Sequence, residues 1–157
     1  MTQPGPPPLR SLALVLHHDG RFTHEGQPIA NRRLLAAFER GVRYLPGEGK
    51  YVVQVGHFRG QLDVEEAGFF VRSVDLASGG LALSDGGRDR LDPASLRASV
   101  LDADALLCTV KCSVFAHGLA ARFTRSAQAE LLLGVEAQED GLALHIAGAW
   151  HALPDLC

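Results

Sequence analysis

The side chains best suited to acid–base chemistry in this chain are seven histidines, at positions 17, 18, 24, 57, 117, 145 and 151, and the carboxylates between them. No pair of histidines has the His-Glu-x-x-His spacing that would set two imidazoles and a base on one helix face. His24-Glu25 runs instead into Gly26-Gln27-Pro28. His17 and His18 are neighbours at the end of an apolar, strand-like run and are expected on opposite faces. His24 and His57 stand among charged residues. Paired with Glu25 or Asp63, they are the groups that could exchange a proton, provided that they converge within hydrogen-bond reach in a pocket.

Other chemistries fail on spacing. Gly47-Glu48-Gly49-Lys50 suggests a phosphate loop, but Tyr44 stands where the Walker pattern needs its first glycine, and Tyr51 where it needs Ser or Thr. A hairpin loop is the simpler reading. Cys108 and Cys112 fall in a β-like run and would lie ~13 Å apart on a strand. That is too far to share a zinc ion with ~2.3 Å Zn–S bonds. Alternation puts both with Val110 and Val114, as small apolar core residues. No Gly-x-Ser-x-Gly elbow occurs, and Asp102 and Asp104 lack the rest of a calcium loop. Neither a metal nor a cofactor is expected.

Two charged surfaces remain. Along 58–64 strict alternation sends Phe58, Leu62 and Val64 one way, and His57, Arg59, Gln61, Asp63 and Glu65 the other. Residues 30–50 carry Arg32, Arg33, Arg40, Arg43 and Lys50 against Glu39 and Glu48. Each surface reads as an ordinary solvated face. Each also suits oxyanion capture, since guanidinium groups bind oxyanions bidentately. The functional reading is a non-catalytic binding protein for a small anionic, nucleotide-like ligand or for a protein partner. Arg21, Arg59 and Lys111 would contact the anion, and His24 and Asp63 would orient it. The alternatives are an enzyme using the His24 or His57 pairs, and an assembly subunit without a small ligand, which would show an exposed apolar patch.

The elements that must position these groups follow from pattern. Asp19-Gly20 between apolar runs predicts a hairpin with a type I′ turn. Asn31 is a good N-cap, and Leu34, Leu35, Phe38 and Val42 form a stripe at helical spacing. Together they predict an amphipathic helix over about 31–41, with Gly41 as its stop. Lys50–Val55, Phe58–Val64, Phe69–Leu76 and Leu81–Ser84 read as strands. Ala105–Phe115 reads as a long strand, 117–123 stays ambiguous between helix and strand, and Glu130–Glu136 with Leu142–Ile146 reads as a hairpin. Asp92-Pro93 predicts a short helix start. Asp19-Gly20 and Asp140-Gly141, each followed by a His and a Gly, form a faint internal echo.

The chain's 157 residues, 46% of them hydrophobic and 21% charged, suit one compact α+β domain over 10–157, mostly antiparallel hairpins. A proline-rich tail over 1–9 is expected to be disordered. A boundary between halves is expected near 85–95. A formal net charge of −3 argues against general nucleic-acid binding. Three cysteines, including Cys157, make no disulfide framework and suit a reducing compartment. No run approaches the ~20 apolar residues of a membrane span, and no leader is evident, so a cytoplasmic location is expected. Arginine in place of lysine, with abundant Ala, Gly and Leu, suggests a bacterial source.

At Asp19-Gly20-Arg21-Phe22-Thr23-His24-Glu25-Gly26-Gln27-Pro28-Ile29 the chain resembles the opening of the family catalogued as domain of unknown function 1285, in which an Asp-Gly-x-aromatic hairpin leads through Gly-x-Pro-Ile into a helix. Leu83-Ser84-Asp85-Gly86-Gly87, Asp92-Pro93-Ala94-Ser95-Leu96, Val110-Lys111-Cys112-Ser113 and the closing hairpin around Gly148 resemble domain of unknown function 4505, over roughly residues 14–154. The first resemblance implies an α+β fold of two similar small halves with a groove between them, and a binding or signalling role. Neither family supplies a catalytic residue to carry over.

Overall fold

A computed structural model describes residues 10–156; the expected proline-rich tail lies outside the described residues. The fold is α+β and mostly antiparallel, as expected. It divides into two compact units that part between Gly68 and Phe69. That is earlier than the boundary expected near 85–95, because residues there are hydrogen-bonded into the second unit's sheet.

The first unit contains β1 (Arg10–Leu16), β2 (Phe22–His24), β3 (Gln27–Pro28), α1 (Arg32–Gly41), β4 (Val42–Leu45), β5 (Lys50–Val55) and β6 (Phe58–Val64). Its sheet has the order β3-β2-β1-β6-β5-β4. All neighbours are antiparallel except the central pair β1 and β6, which run parallel. Pro28 sits on the edge strand, where its missing N–H does no harm.

Helix α1 begins as its sequence dictates. The Asn31 side-chain oxygen accepts from the Leu34 N–H at 3.1 Å. Phe38 is buried and its ring meets Phe22 at 5.7 Å between centroids. Leu14, Leu16, Phe22, Val53 and Leu62 are each at most 3% exposed, and each such side chain contributes about 2–3 kcal/mol through burial. Gly41 is not a left-handed stop. It is the last helical residue, and Val42 after it is already extended. Its missing side chain lets α1 approach the backbone of β5, since a Cβ there would lie 2.3 Å from the Gln54 carbonyl oxygen.

The type I′ turn falls elsewhere than expected. In the first hairpin Gly20 has φ +91° while Asp19 is not left-handed, so that loop is of another type. The turn with positive φ at both central residues is Glu25 (+50°) and Gly26 (+80°), joining His24 to its partner Gln27.

Tyr44 and Tyr51 face each other across β4 and β5, with ring centroids 4.9 Å apart. Burial, and then the neighbouring Tyr44, push the Tyr51 hydroxyl up from 10.0 to about 12. The unfolded chain therefore ionises first. The stabilisation is complete below the unfolded value and disappears as pH climbs toward 12. Tyr51→Phe should move the alkaline unfolding midpoint upward, as followed by far-ultraviolet circular dichroism.

The second unit contains β7 (Phe69–Asp75), β8 (Gly80–Leu83), β9 (Arg88–Arg90), β10 (Arg97–Ala98), β11 (Leu106–Val110) and β12 (Leu119–Phe123) in the order β10-β11-β12-β7-β8-β9, with β12 and β7 parallel. In both units the first and last strands of the sheet pair in parallel at its centre, and a three-strand meander extends on each side. The two halves are therefore alike in wiring. The Asp-Gly echo does not mark this repeat, because Asp140-Gly141 belongs to a third sheet, β13 (Val135–Gln138), β14 (Gly141–Ile146) and β15 (Ala149–Ala152). Asp92 caps a single 3-10 turn, Pro93–Ser95, by accepting from the Ala94 N–H.

Three expectations for this unit need correction. The long strand over 105–115 stops at Val110, because Lys111 is left-handed (φ +61°) and the chain turns back through it. Cys108 is buried, as expected, whereas Cys112 lies in the turn and is exposed. Burial pushes the Cys108 thiol up to about 12, which leaves it protonated and unreactive. Residues 125–132, read partly as strand, form α2 (Arg125–Leu132), capped by the Thr124 hydroxyl and buried on β7 through Ala127 and Leu131. No helix among the described residues is long and apolar enough to cross a membrane.

Candidate functional site

An apolar cleft of the first unit lies between α1 and its sheet. Leu14 and His24 are directly opposite on β1 and β2, and Leu14 is paired with Leu62 of β6. Cross-strand partners share a face, so these side chains stand on the side that α1 covers. Val55 and Phe58 pair at the far end of the β5–β6 hairpin. Leu34 and Phe38, one helical turn apart, come down from above, and Ile29 closes the entry to the helix. The result is a cleft of about 360 Å³ lined by six apolar side chains and His24. Leu34 is 40% exposed at its mouth. His24 is also exposed, held by the tight Glu25-Gly26 turn.

Of the five residues expected to form one site, the structure places only His24 at this cleft. Arg59 and Asp63 lie on the opposite face of the sheet, beside Gln54 and Val15, and neither side chain makes a hydrogen bond or ion pair among the described residues. Arg21 turns back onto Asp19, Nε to Oδ2 2.7 Å. Lys111 belongs to the second unit and has partners there. Its Nζ donates to Asp85 Oδ2 at 2.7 Å and lies 4.9 Å from the centre of the Phe69 ring, and its backbone N–H donates to Asp89 Oδ2 at 2.6 Å.

The polar face carries an imidazole–carboxylate cluster that spacing did not reveal. Glu65 Oε2 bonds His17 Nδ1 at 3.1 Å, Glu65 Oε1 bonds the His18 ring, and His17 Nε2 bonds the Thr23 hydroxyl at 2.9 Å. The hydrogen bonds from His18 and then His17 hold the Glu65 carboxyl below its usual range. Because β1 ends at Leu16, the adjacent histidines are not alternating strand residues, and both reach the same carboxylate. The signal that could have exposed this cluster is Glu65, one residue past the end of the alternating strand. No hydrogen bond among the described residues joins His24 or His57 to Glu25 or Asp63.

Two solved structures share this architecture. One, a DUF1285 family protein from Silicibacter pomeroyi DSS-3, superposes with a TM-score of 0.64 at 17% identity, over 97% of this chain and 89% of its own. The other, a DUF1285 family protein from Shewanella baltica OS155, gives 0.50 at 13% identity, over 76% and 90%. The fold is theirs. At such identities the likeness carries the fold alone, in agreement with the expectation drawn from the first hairpin. The likeness to domain of unknown function 4505 rests on its short motifs only. No family model matches the chain, and no curated protein matches it.

Proposed function

We propose that this protein is a non-catalytic binding protein and that the cleft beneath α1 receives a small anionic ligand with an apolar body. The observation that carries this reading is the lining: six apolar side chains and a single polar one, His24, around about 360 Å³. That is the composition and size of small-molecule sites. Charge supports the anionic end. The first turn of α1 holds Arg32 and Arg33 and no acidic residue. Two cations there oppose the helix dipole, whose positive end favours an anion. Leu34, in the same turn, lines the cleft, so the apolar wall and the electropositive helix end adjoin. His24 offers a ring nitrogen from the sheet side.

The test is a fluorescence titration with anilinonaphthalene sulfonate, an apolar anion. Saturable binding is expected, weakened at least ~10-fold in Leu34→Asp, which places a charge on the lining where ~1.4 kcal/mol is lost per decade. Leu34 is part-exposed, so this variant should fold. Arg59→Ala, on the other face, should bind like wild type. Weakening by Arg59→Ala with Leu34→Asp unaffected would move the site to the polar face and overturn the proposal.

A further inference from the structure

The third sheet presents a different surface. His145 and Trp150 are directly opposite on β14 and β15, with ring centroids 4.8 Å apart. The His145 N–H donates to the Gly134 carbonyl at 2.8 Å, just ahead of β13. Glu136, two residues beyond Gly134, therefore stands on the same side of the sheet as both rings. A Cβ at Gly134 would lie 2.8 Å from the His145 carbonyl oxygen and 3.1 Å from Leu76 Cδ2. The absent side chain lets these groups pack closely against Gly134, which lines a notch. The notch measures about 490 Å³ and is walled by Leu76, Leu133, Glu136, His145 and Trp150. Trp150 is 48% and Leu133 83% exposed.

We infer that this notch is a binding site for a weakly hydrated organic cation, of the alkylammonium or guanidinium type, held against the Trp150 face with Glu136 as its counter-charge. The electron-rich faces of aromatic rings attract cations, tryptophan most strongly, and cations that shed water easily gain most. The Glu136 side chain makes no hydrogen bond or ion pair among the described residues, so its charge is available to a ligand and disfavours an anion. The surrounding leucines suit the carbon substituents of such a cation. A metal ion is a poor fit, since no group of three His, Cys, Asp or Glu among the described residues is arranged to hold one. This site lies wholly within the second unit and does not depend on the cleft beneath α1.

Trp150 is the chain's one tryptophan, so its emission reports on this notch. Tetramethylammonium and methylguanidinium should each change that emission saturably at constant ionic strength. tert-Butanol, the uncharged counterpart of the first, should not. Glu136→Gln should weaken both cations about three- to fivefold, the range of an exposed charge pair, with an unchanged melting curve because Glu136 is a surface residue. A response that fails to saturate, that tert-butanol reproduces, or that Glu136→Gln leaves intact would overturn the assignment. If only one of the two cations saturates, the site belongs to that class.

Discussion

Replacing Gly41 by alanine should destabilise the protein by about 3 kcal/mol, at the upper end of overpacking costs, and should abolish binding in the cleft beneath α1. The added methyl would sit 2.3 Å from the Gln54 carbonyl oxygen and 3.1 Å from its carbon. These are backbone atoms of β5, held by the pairing of Gln54 with Arg59 of β6, and they cannot swing aside as a side chain could. The helix must therefore move. Phe38, one turn earlier, leaves its contact with Phe22 and unmakes the cleft wall. Gly47→Ala is the control, because a Cβ there meets nothing within 4 Å. Urea unfolding of the two variants, with anilinonaphthalene sulfonate binding measured on the same samples, checks the prediction. Equal midpoints would show that α1 does not depend on this approach.

Lys111→Met should cost about 3 kcal/mol, the penalty for leaving one partner of a largely buried ion pair alone. The Lys111 side chain is 22% exposed and that of Asp85 10%, with 2.7 Å between the charges, and the ammonium also rests on the Phe69 ring. Without it, the Asp85 carboxylate keeps its burial and loses its counter-charge. Asp85→Asn in the same chain should restore much of the loss, and the double-mutant cycle measures the coupling. A Lys111 whose role were to hold an anion at the surface would give a small stability change and no coupling.

The sequence was most informative where one side-chain pattern controlled one element. The Asn31 cap and the Leu34–Phe38 spacing located α1 to within a residue, and the alternation of 58–64 located β6. It misled where a single backbone angle decided the outcome. Nothing in Val110-Lys111-Cys112 announces a left-handed lysine, and that angle takes Cys112 out of the core. Helix α2 escaped notice because it buries little beyond Ala127 and Leu131, while the run Leu131-Leu132-Leu133 resembles a strand. The candidate site was legible only in part, for the same physical reason that made its strands legible. Alternation identifies the two faces of a sheet but not which face a helix will cover. His24 therefore could not be separated in advance from Arg59 and Asp63, and the approach of Glu65 to His17 and His18 arises from pairing between strands nearly fifty residues apart in the chain.

That pairing has a consequence for the order of events during synthesis. Because β1 bonds β6 in parallel, and β7 bonds β12 likewise, the centre of each six-stranded sheet joins the earliest and latest strands of that sheet. A ribosome that has released β1 through β5 has released one three-strand meander, β1 to β3, and one hairpin, β4 and β5, whose inner edges still lack a partner. Only the arrival of Phe58–Val64 unites them, across a long loop whose closure is entropically slow. Each six-stranded sheet thus passes through a stage of open strand edges, exposed to mispairing, and that stage ends only when the last strand of that sheet emerges.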